Sequence, residues 1–330
     1  MVSRFDEFLI HQTEQTLANV ASEHPEWQDR FYFNVHDRNG EFALITGLGA
    51  FPNRKMSQAY IFAAFAGEHY GYLQVRPLNN DREIMTAGTL SFNVIEPLKS
   101  WALDIEDKAS GISGSLVFKE RCPLYRFSPI EWQDDGRIVV KQMHYTQAGA
   151  YEGSLTIGGR TLTDLVGMRD RSWGIRDMPR VPFWVWISAQ FDSFCISAWL
   201  WETTDGEVIH ADGALIQESG EVRPVVKIEH ELELWAGTKR PKVGHFQLTM
   251  ADGKVERLTA SEIQTIFLAP GLARWADSDS DALKRANASA FGFDQHCRFD
   301  LGDQQGVGIV EYMVTGGHVR YGIPPATQLG

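Results

Sequence analysis

Three arginines and two aspartates fall within Gly167-Met-Arg-Asp-Arg-Ser-Trp-Gly-Ile-Arg-Asp177, and the aromatic run Val181-Pro-Phe-Trp-Val-Trp-Ile187 follows at once. Charge at that density usually meets water, so its place beside the most tryptophan-rich part of the chain is the chemical clue. As an extended strand, the run puts Met168, Asp170 and Ser172 on one face and Arg169, Arg171 and Trp173 on the other. Asp170 is then released from its sequence neighbours. Aimed into an apolar cavity, its carboxyl would be held neutral by desolvation and could serve as a general acid. The competing reading is a lattice of Arg and Asp that staples two parts of the protein, with Trp173 as a packing anchor.

Other polar residues stand on apolar strands. In Gly306-Val-Gly-Ile-Val-Glu-Tyr-Met-Val314, alternation sets Glu311 with Val307, Ile309 and Met313, and Tyr312 with Val310 and Val314. If both faces are buried, Glu311 must be protonated or paired, with Arg169, Arg171 and Arg176 as natural partners; at a sheet edge it would face water instead. His144 and His36 are single strand histidines, each a candidate proton carrier or a structural ring. On Val181 to Phe191, Trp184 and Trp186 share a face with Ser188 and Gln190, while Phe183, Val185 and Ile187 take the other. Tryptophan mixed with small polar residues suits the lining of a ligand cavity, where ring faces can shield cationic charge; core packing is the alternative.

Familiar sites are missing. Gly47-Leu-Gly49 is a fragment of a dinucleotide fingerprint without a receiving helix, and Gly111-Ile-Ser-Gly114 lacks the nucleophile-elbow spacing. The ten histidines include no H-x-H or H-E-x-x-H, so neither a metal nor another cofactor is expected, unless the fold itself assembles ligands. Cys122, Cys195 and Cys297 form no C-x-x-C pair and no disulfide framework.

The positioning elements follow from punctuation. The chain has 330 residues, enough for two domains, and its 43% hydrophobic and 22% charged residues are those of a soluble protein. A net charge of -12 opposes nucleic acid and anionic membranes as partners. The start lacks a signal-peptide core, so a cytoplasmic location is expected. Polar residues interrupt Val181 to Trp201, which excludes a membrane span and reads as two strands. Residues 3 to 22 predict a helix stopped by Pro25. From Arg30 onward, turn signals such as Asp37-Arg-Asn-Gly40, Asp134-Asp-Gly136, Thr204-Asp-Gly206 and Gly316-Gly317 separate short β-branched and aromatic runs, the grammar of antiparallel hairpins. The expectation is all-β: an N-terminal helical segment (1–27) and two tightly packed antiparallel barrels or sandwiches (28–162 and 163–330). Ser280 to Ser289 reads as a second helix or as a solvated loop.

Gln147-Ala-Gly-Ala-Tyr-Glu-Gly153, Gly167-Met-Arg-Asp-Arg-Ser-Trp-Gly174 and Gly306-Val-Gly-Ile-Val-Glu-Tyr312 together resemble the bacterial branch of the AttH-like and carotenoid 1,2-hydratase superfamily. The resemblance implies two lipocalin-like β-domains side by side, with a pocket at their junction or in a barrel mouth. It also implies an acid at Asp170 and a histidine near His144. Met168 stands where that pattern has a tyrosine, a departure that bears on carotenoid hydration itself. The expectation is a cofactor-free lyase or isomerase of hydratase, dehydratase or cyclase type acting on a hydrophobic isoprenoid, polyketide or aromatic molecule. Asp170, His144 and Glu311 are its catalytic candidates; Trp173, Trp184, Trp186, Arg169, Arg171 and Tyr312 are its substrate-binding candidates. The alternatives are a carrier of an apolar small molecule and an accessory subunit of another enzyme. Self-association as a homodimer is compatible with the sequence.

Overall fold

A computed structural model describes residues 20–78, 84–107, 110–269 and 273–325, together with Val2, Glu7 and Leu9. Most of the expected helix over 3 to 22 lies outside the described residues, and Val20, Ala21 and Ser22, which are described, are not helical. The architecture is all-β, as expected, and consists of one large curled antiparallel sheet and one closed barrel. The central path of the first sheet runs from Phe42–Phe51 through Trp27–His36, Leu165–Arg176 and Arg137–Ile157 to Ile112–Glu120. Phe183–Gln190, Phe194–Glu202 and Val208–Gln217 lead into the barrel, which Gly292–Leu301 and Gln304–Met313 close against Phe183–Gln190. Leu165–Arg176 is hydrogen-bonded inside the first sheet. The passage to the barrel therefore falls at residues 177–182, downstream of the 162/163 division read from the sequence.

Burial patterns show how the pieces fit. Val222–Leu234 and Pro241–Met250 alternate between buried and exposed, because only one face of each is covered by the barrel interior. Phe183–Gln190 and Phe194–Glu202 are buried at every position. Their second face is pressed against the first sheet, whose Trp27–His36, Phe42–Phe51 and Leu165–Arg176 are likewise almost wholly buried. Three apolar cores result. One is wrapped by the first sheet around Phe31, Phe33 and Trp101. A second fills the barrel around Val185, Phe246 and Phe299. The third is the seam between them, with Met168, Trp184, Trp186, Trp199 and Trp201.

Hydrogen bonds pin the seam. The ladder between Trp27–His36 and Leu165–Arg176 skips Asn34 and Val35, and the side-chain Oδ1 of Asn34 accepts from the Met168 amide at 2.8 Å. Asn34 Nδ2 reaches Ser188 Oγ at 3.4 Å, and Gln190 Nε2 donates to the Gly167 carbonyl at 2.6 Å. Gly167 has no alternative here, since a Cβ would stand 1.8 Å from the Asn34 carbonyl oxygen. Arg121 adds a polar clasp, donating to Gln190 Oε1 and to the Phe191 and Asp192 carbonyls, each at 3.0 Å.

The chain returns once to the first sheet. After the barrel strand Val255–Leu268, Arg274–Ala276 pairs with Glu68–Pro77 at the sheet's edge. Ser280–Ser289 then forms a helix, which decides between the two readings of that segment; Asp279 caps it by accepting from the Asp281 and Ala282 amides at 3.1 and 2.9 Å.

His36 and His296 meet across the seam with ring centroids 4.8 Å apart. Burial lowers His36 from 6.5 to about 4 and holds His296 well below its ordinary value, so both rings are neutral in the folded protein at pH 7. Between pH 6.5 and 4 the unfolded chain protonates its His36 while the folded chain does not, so stability falls as pH falls through that window, by about 3 kcal/mol for this ring. Urea melts taken from pH 7 to pH 4 should show this loss, and His36→Gln should lose correspondingly less.

Candidate active site

The alternation read from the sequence holds at the seam. Met168, Asp170 and Ser172 point across to the barrel, where Trp184, Trp186 and Glu311 point back. His144 lies on Arg137–Ile157 opposite Ser172, one strand from Asp170. Its Nε2 is 3.2 Å from Asp170 Oδ2. The imidazole is held between aromatic rings, stacked on Phe127 at 4.8 Å and edge-on to Trp199 at 4.8 Å, with Trp186 at 6.2 Å. Trp184 Nε1 donates to Glu311 Oε1 at 2.8 Å.

Four residues join this group that sequence reasoning did not select. Tyr32 pairs with Asp170 in the sheet register, and its hydroxyl donates to Asp294 Oδ2 at 3.0 Å. Asp294 faces Glu311 across the Gly292–Leu301 and Gln304–Met313 pair. Arg30 and Tyr60 complete the set on the first sheet. Arg30, Tyr60 and Glu311 keep partial exposure, so the group meets solvent on their side. Applied to Trp27–His36, the same alternation separates Phe31 and Phe33 from Arg30, Tyr32, Asn34 and His36, and would have found two of the four.

Charge balance sets the chemistry. Three carboxyls, Asp170, Asp294 and Glu311, share the electrostatic neighbourhood of one guanidinium, Arg30. Burial and the Glu311 charge hold Asp294 well above the usual carboxylate range. Burial, opposed by Arg30 and reinforced by Asp170, pushes Glu311 up to about 7. The phenols are raised as well, Tyr32 chiefly by burial and then by Asp294. Carboxylic acids that keep their protons near neutrality thus stand beside a histidine-carboxylate pair. Such separation of environments is the arrangement that divides acid from base roles. Asp170 Oδ1, Asp294 Oδ1, both ring nitrogens of His144 and the indole nitrogens of Trp186 and Trp201 have no protein hydrogen-bond partner, the His144 approach to Asp170 being an ion-pair distance only, so polar valence remains inside this aromatic enclosure. A surface hollow of about 780 Å³ on the first sheet, lined by Tyr72, Leu90, Asp104, Glu106 and Asp107, offers only carboxylates as charged groups. The seam is the stronger candidate.

Several expected binding residues are elsewhere. Arg169 and Arg171 point into the first sheet's own core, where Arg169 binds Glu7 at 2.7 Å and Arg171 binds Asp29 at 2.9 Å. Neither is a partner of Glu311. Arg176 lies over the Trp184 ring at 5.4 Å. Trp173 packs on their side, edge-on to Tyr145 at 6.3 Å. Tyr312 faces the barrel interior with the opposite set from Glu311. Ser188 and Gln190 spend their polar atoms on the inter-sheet bonds, not on a cavity wall. The structure therefore brings Asp170, His144, Glu311, Trp184 and Trp186 together and leaves Arg169, Arg171, Trp173 and Tyr312 outside.

This is an all-β protein in which a curled sheet and a closed barrel enclose acid and base groups at their seam. Residues 2–273 match the model of a family described as a family of unknown function (DUF8625), and the chain belongs to that family. No curated protein matches it. Solved structures share the fold across most of its length. A protein of Nitrosomonas europaea provisionally assigned as AttH is 17% identical, with a TM-score of 0.61 over 87% of this chain and 92% of that one. Kievitone hydratase of Nectria haematococca is 12% identical, with a TM-score of 0.59 over 86% and 88%. CghA, solved with Sch210972, is 11% identical, with a TM-score of 0.56 over 88% of each chain. The AttH-like fold anticipated from the sequence is thus the one observed.

The Arg169 and Glu7 pair is fully buried, and Glu7 also accepts from the Tyr145 hydroxyl at 2.9 Å and from the Trp101 indole. Removing one partner strands a charge, so Arg169→Ala should cost about 3–5 kcal/mol in chemical denaturation. Arg171→Ala should behave similarly. A loss of ligand binding without a loss of stability would instead return these residues to the site.

Proposed function

We propose that the protein is a lyase or isomerase, of hydratase, dehydratase or cyclase type, acting on a hydrophobic small molecule at the seam through its own acid and base groups. The observation that carries this reading is the meeting of proton-retaining carboxyls with the His144 and Asp170 pair inside a wall of tryptophans. Glu311 is the proton donor to an alkene or a leaving hydroxyl, because it combines a near-neutral pKa with access to solvent. His144, oriented by Asp170, takes the proton from water or from the substrate's carbon. This assigns Asp170 to holding the imidazole instead of to the acid role expected from sequence, in keeping with its 3.2 Å contact. Trp184, Trp186 and Trp199 shield developing positive charge with their ring faces. The names of two proteins that share the fold, a kievitone hydratase and a protein solved with Sch210972, support a small organic substrate.

The second reading is a carrier of an apolar small molecule. It is favoured by the placement of Arg169 and Arg171, whose ion pairs brace the first sheet and give the conspicuous Arg/Asp run a structural purpose.

Small molecules extracted from protein purified from its host, followed by isoprenoid, polyketide and aromatic alkenes and tertiary alcohols, are the substrates to test. Mass spectrometry reads gain or loss of water, or cyclisation at constant mass. Asp170→Asn and Glu311→Gln should each lower turnover by about 10²–10⁴-fold with little change in thermal unfolding, and His144→Ala should lower it as far while also costing stability, because it empties the space between Phe127 and Trp199. Ligand bound stoichiometrically and returned unaltered by wild type would establish the carrier. The acid must hold its proton, so the rate should fall as pH rises through about 7, and Glu311→Gln should abolish that limb.

A further inference from the structure

The barrel contains a second polar cluster that the seam chemistry does not use. Glu202 ends the Phe194–Glu202 strand, His230 lies on Val222–Leu234, and His318 follows the last barrel strand just after Gly316-Gly317. They are 7%, 7% and 1% exposed. Nε2 of His230 and Nε2 of His318 approach the same oxygen, Oε2 of Glu202, at 2.8 and 3.0 Å. One donor atom from each of the three residues lies within 4.8 Å of the other two. Trp201 faces the seam, so its neighbour Glu202 occupies the opposite face of the barrel wall.

Simple hydrogen bonding would need a proton on both Nε2 atoms. The surroundings of His230 also accommodate the other tautomer. The Tyr321 hydroxyl lies 3.2 Å from the His230 carbonyl oxygen, which can only accept, and 3.0 Å from His230 Nδ1. When the hydroxyl gives its proton to the carbonyl, it presents a lone pair to Nδ1–H, and Nε2 of the neutral ring is left as a lone pair facing the cluster. That lone pair and the Glu202 oxygen 2.8 Å away could then share a bound cation, where the Nε2–H tautomer would share a proton. A second-shell acceptor on one imidazole nitrogen is also what orients metal-binding histidines. Arg320 holds the same carbonyl from the other side, with Nη1 at 2.9 Å. His318 Nδ1 has no protein hydrogen-bond partner, so turning the Nε2 lone pair to the cluster leaves a buried N–H unsatisfied, a cost that the metal bond must offset.

We propose that Glu202, His230 and His318 form a binding site for a divalent transition metal ion of the zinc type. Two neutral imidazoles and one carboxylate are a donor set suited to zinc and its neighbours, and leave a fourth position for a small ligand such as water. Bonds of about 2.0–2.1 Å in tetrahedral geometry separate ligand atoms by roughly 3.3 Å, so the two contacts to the Glu202 oxygen would each lengthen by a few tenths of an ångström, and the imidazoles would settle to the same spacing. The ion fastens the C-terminal turn to the end of the barrel. Hydrogen bonds already follow that line: Thr204 Oγ1 donates to the Gly316 carbonyl at 2.9 Å, and the Val319 amide donates to the Thr204 carbonyl at 2.8 Å.

The test is titration of the chelator-treated full-length protein with zinc against a chromophoric competitor, and with cobalt(II), whose visible bands report tetrahedral coordination. One ion per chain, intense cobalt bands and a metal-dependent rise in melting temperature are expected. His230→Gln and His318→Gln should each weaken binding by at least 100-fold, and Tyr321→Phe, which keeps every ligand, by about 10-fold. If the histidine variants fail to fold, the wild-type cobalt spectrum and Tyr321→Phe still decide. Wild-type protein that binds no zinc at millimolar concentration, or histidine variants that bind as wild type does, would overturn the proposal.

Discussion

Everything in this protein depends on pressing together two β-surfaces whose facing strands have no solvent side. A strand with one wet face tolerates charge at every second position; strands buried on both faces do not. Phe183–Gln190, Phe194–Glu202, Trp27–His36 and Leu165–Arg176 are of the second kind. Each polar group they carry must therefore find a partner, lose its charge or retain unmet hydrogen-bonding capacity. All three outcomes occur within one layer. Asn34, Ser188 and Gln190 find partners and lock the register, Asp294 and Glu311 are driven toward neutrality, and His144 and Trp186 keep polar atoms without protein partners. The same apolar pressure that joins the sheets makes their shared layer chemically unusual.

The arginines of the central run illustrate the division of labour. Alternation sends Asp170 to the seam and its flanking arginines to the core of the first sheet, where Glu7 and Asp29 neutralise them. A side chain one residue away in sequence can thus be a full sheet thickness away in environment. The catalytic candidates are drawn from both β-surfaces, with His144 and Asp170 on one and Glu311 on the other. The site exists only in the docked arrangement.

How much of this was legible in the sequence follows from the range of the interactions concerned. Which face each strand residue occupies is a local property with period two, and it was read correctly for Asp170, Glu311, Trp184 and Trp186. The all-β class and its turns were equally local. Assigning Arg169, Arg171 and Tyr312 to the ligand disregarded that same rule, since alternation had already placed them on the opposite faces from Asp170 and Glu311. What no local pattern supplies is strand order. Tyr32 meets Asp294, and His230 meets Glu202 and His318, only because long-range register closes the sheet and the barrel. The extent of the first sheet was hidden for the same reason, because pairing, not punctuation, keeps Leu165–Arg176 within it.

The edge strand Arg274–Ala276 carries a consequence for how the molecule is made. It belongs to the first sheet by pairing, through Arg274 opposite Tyr70 and Trp275 opposite His69, yet it is encoded after most of the barrel. On the ribosome, the first sheet must wait for this piece until six of the eight barrel strands have been made, with the Glu68–Pro77 edge uncapped meanwhile. Stacking of Trp275 on His69 at 3.9 Å then seals that edge. The two β-units are therefore not separable modules that gene fusion simply joined: their strands are interleaved, and neither can be cut away at a single point without opening the other.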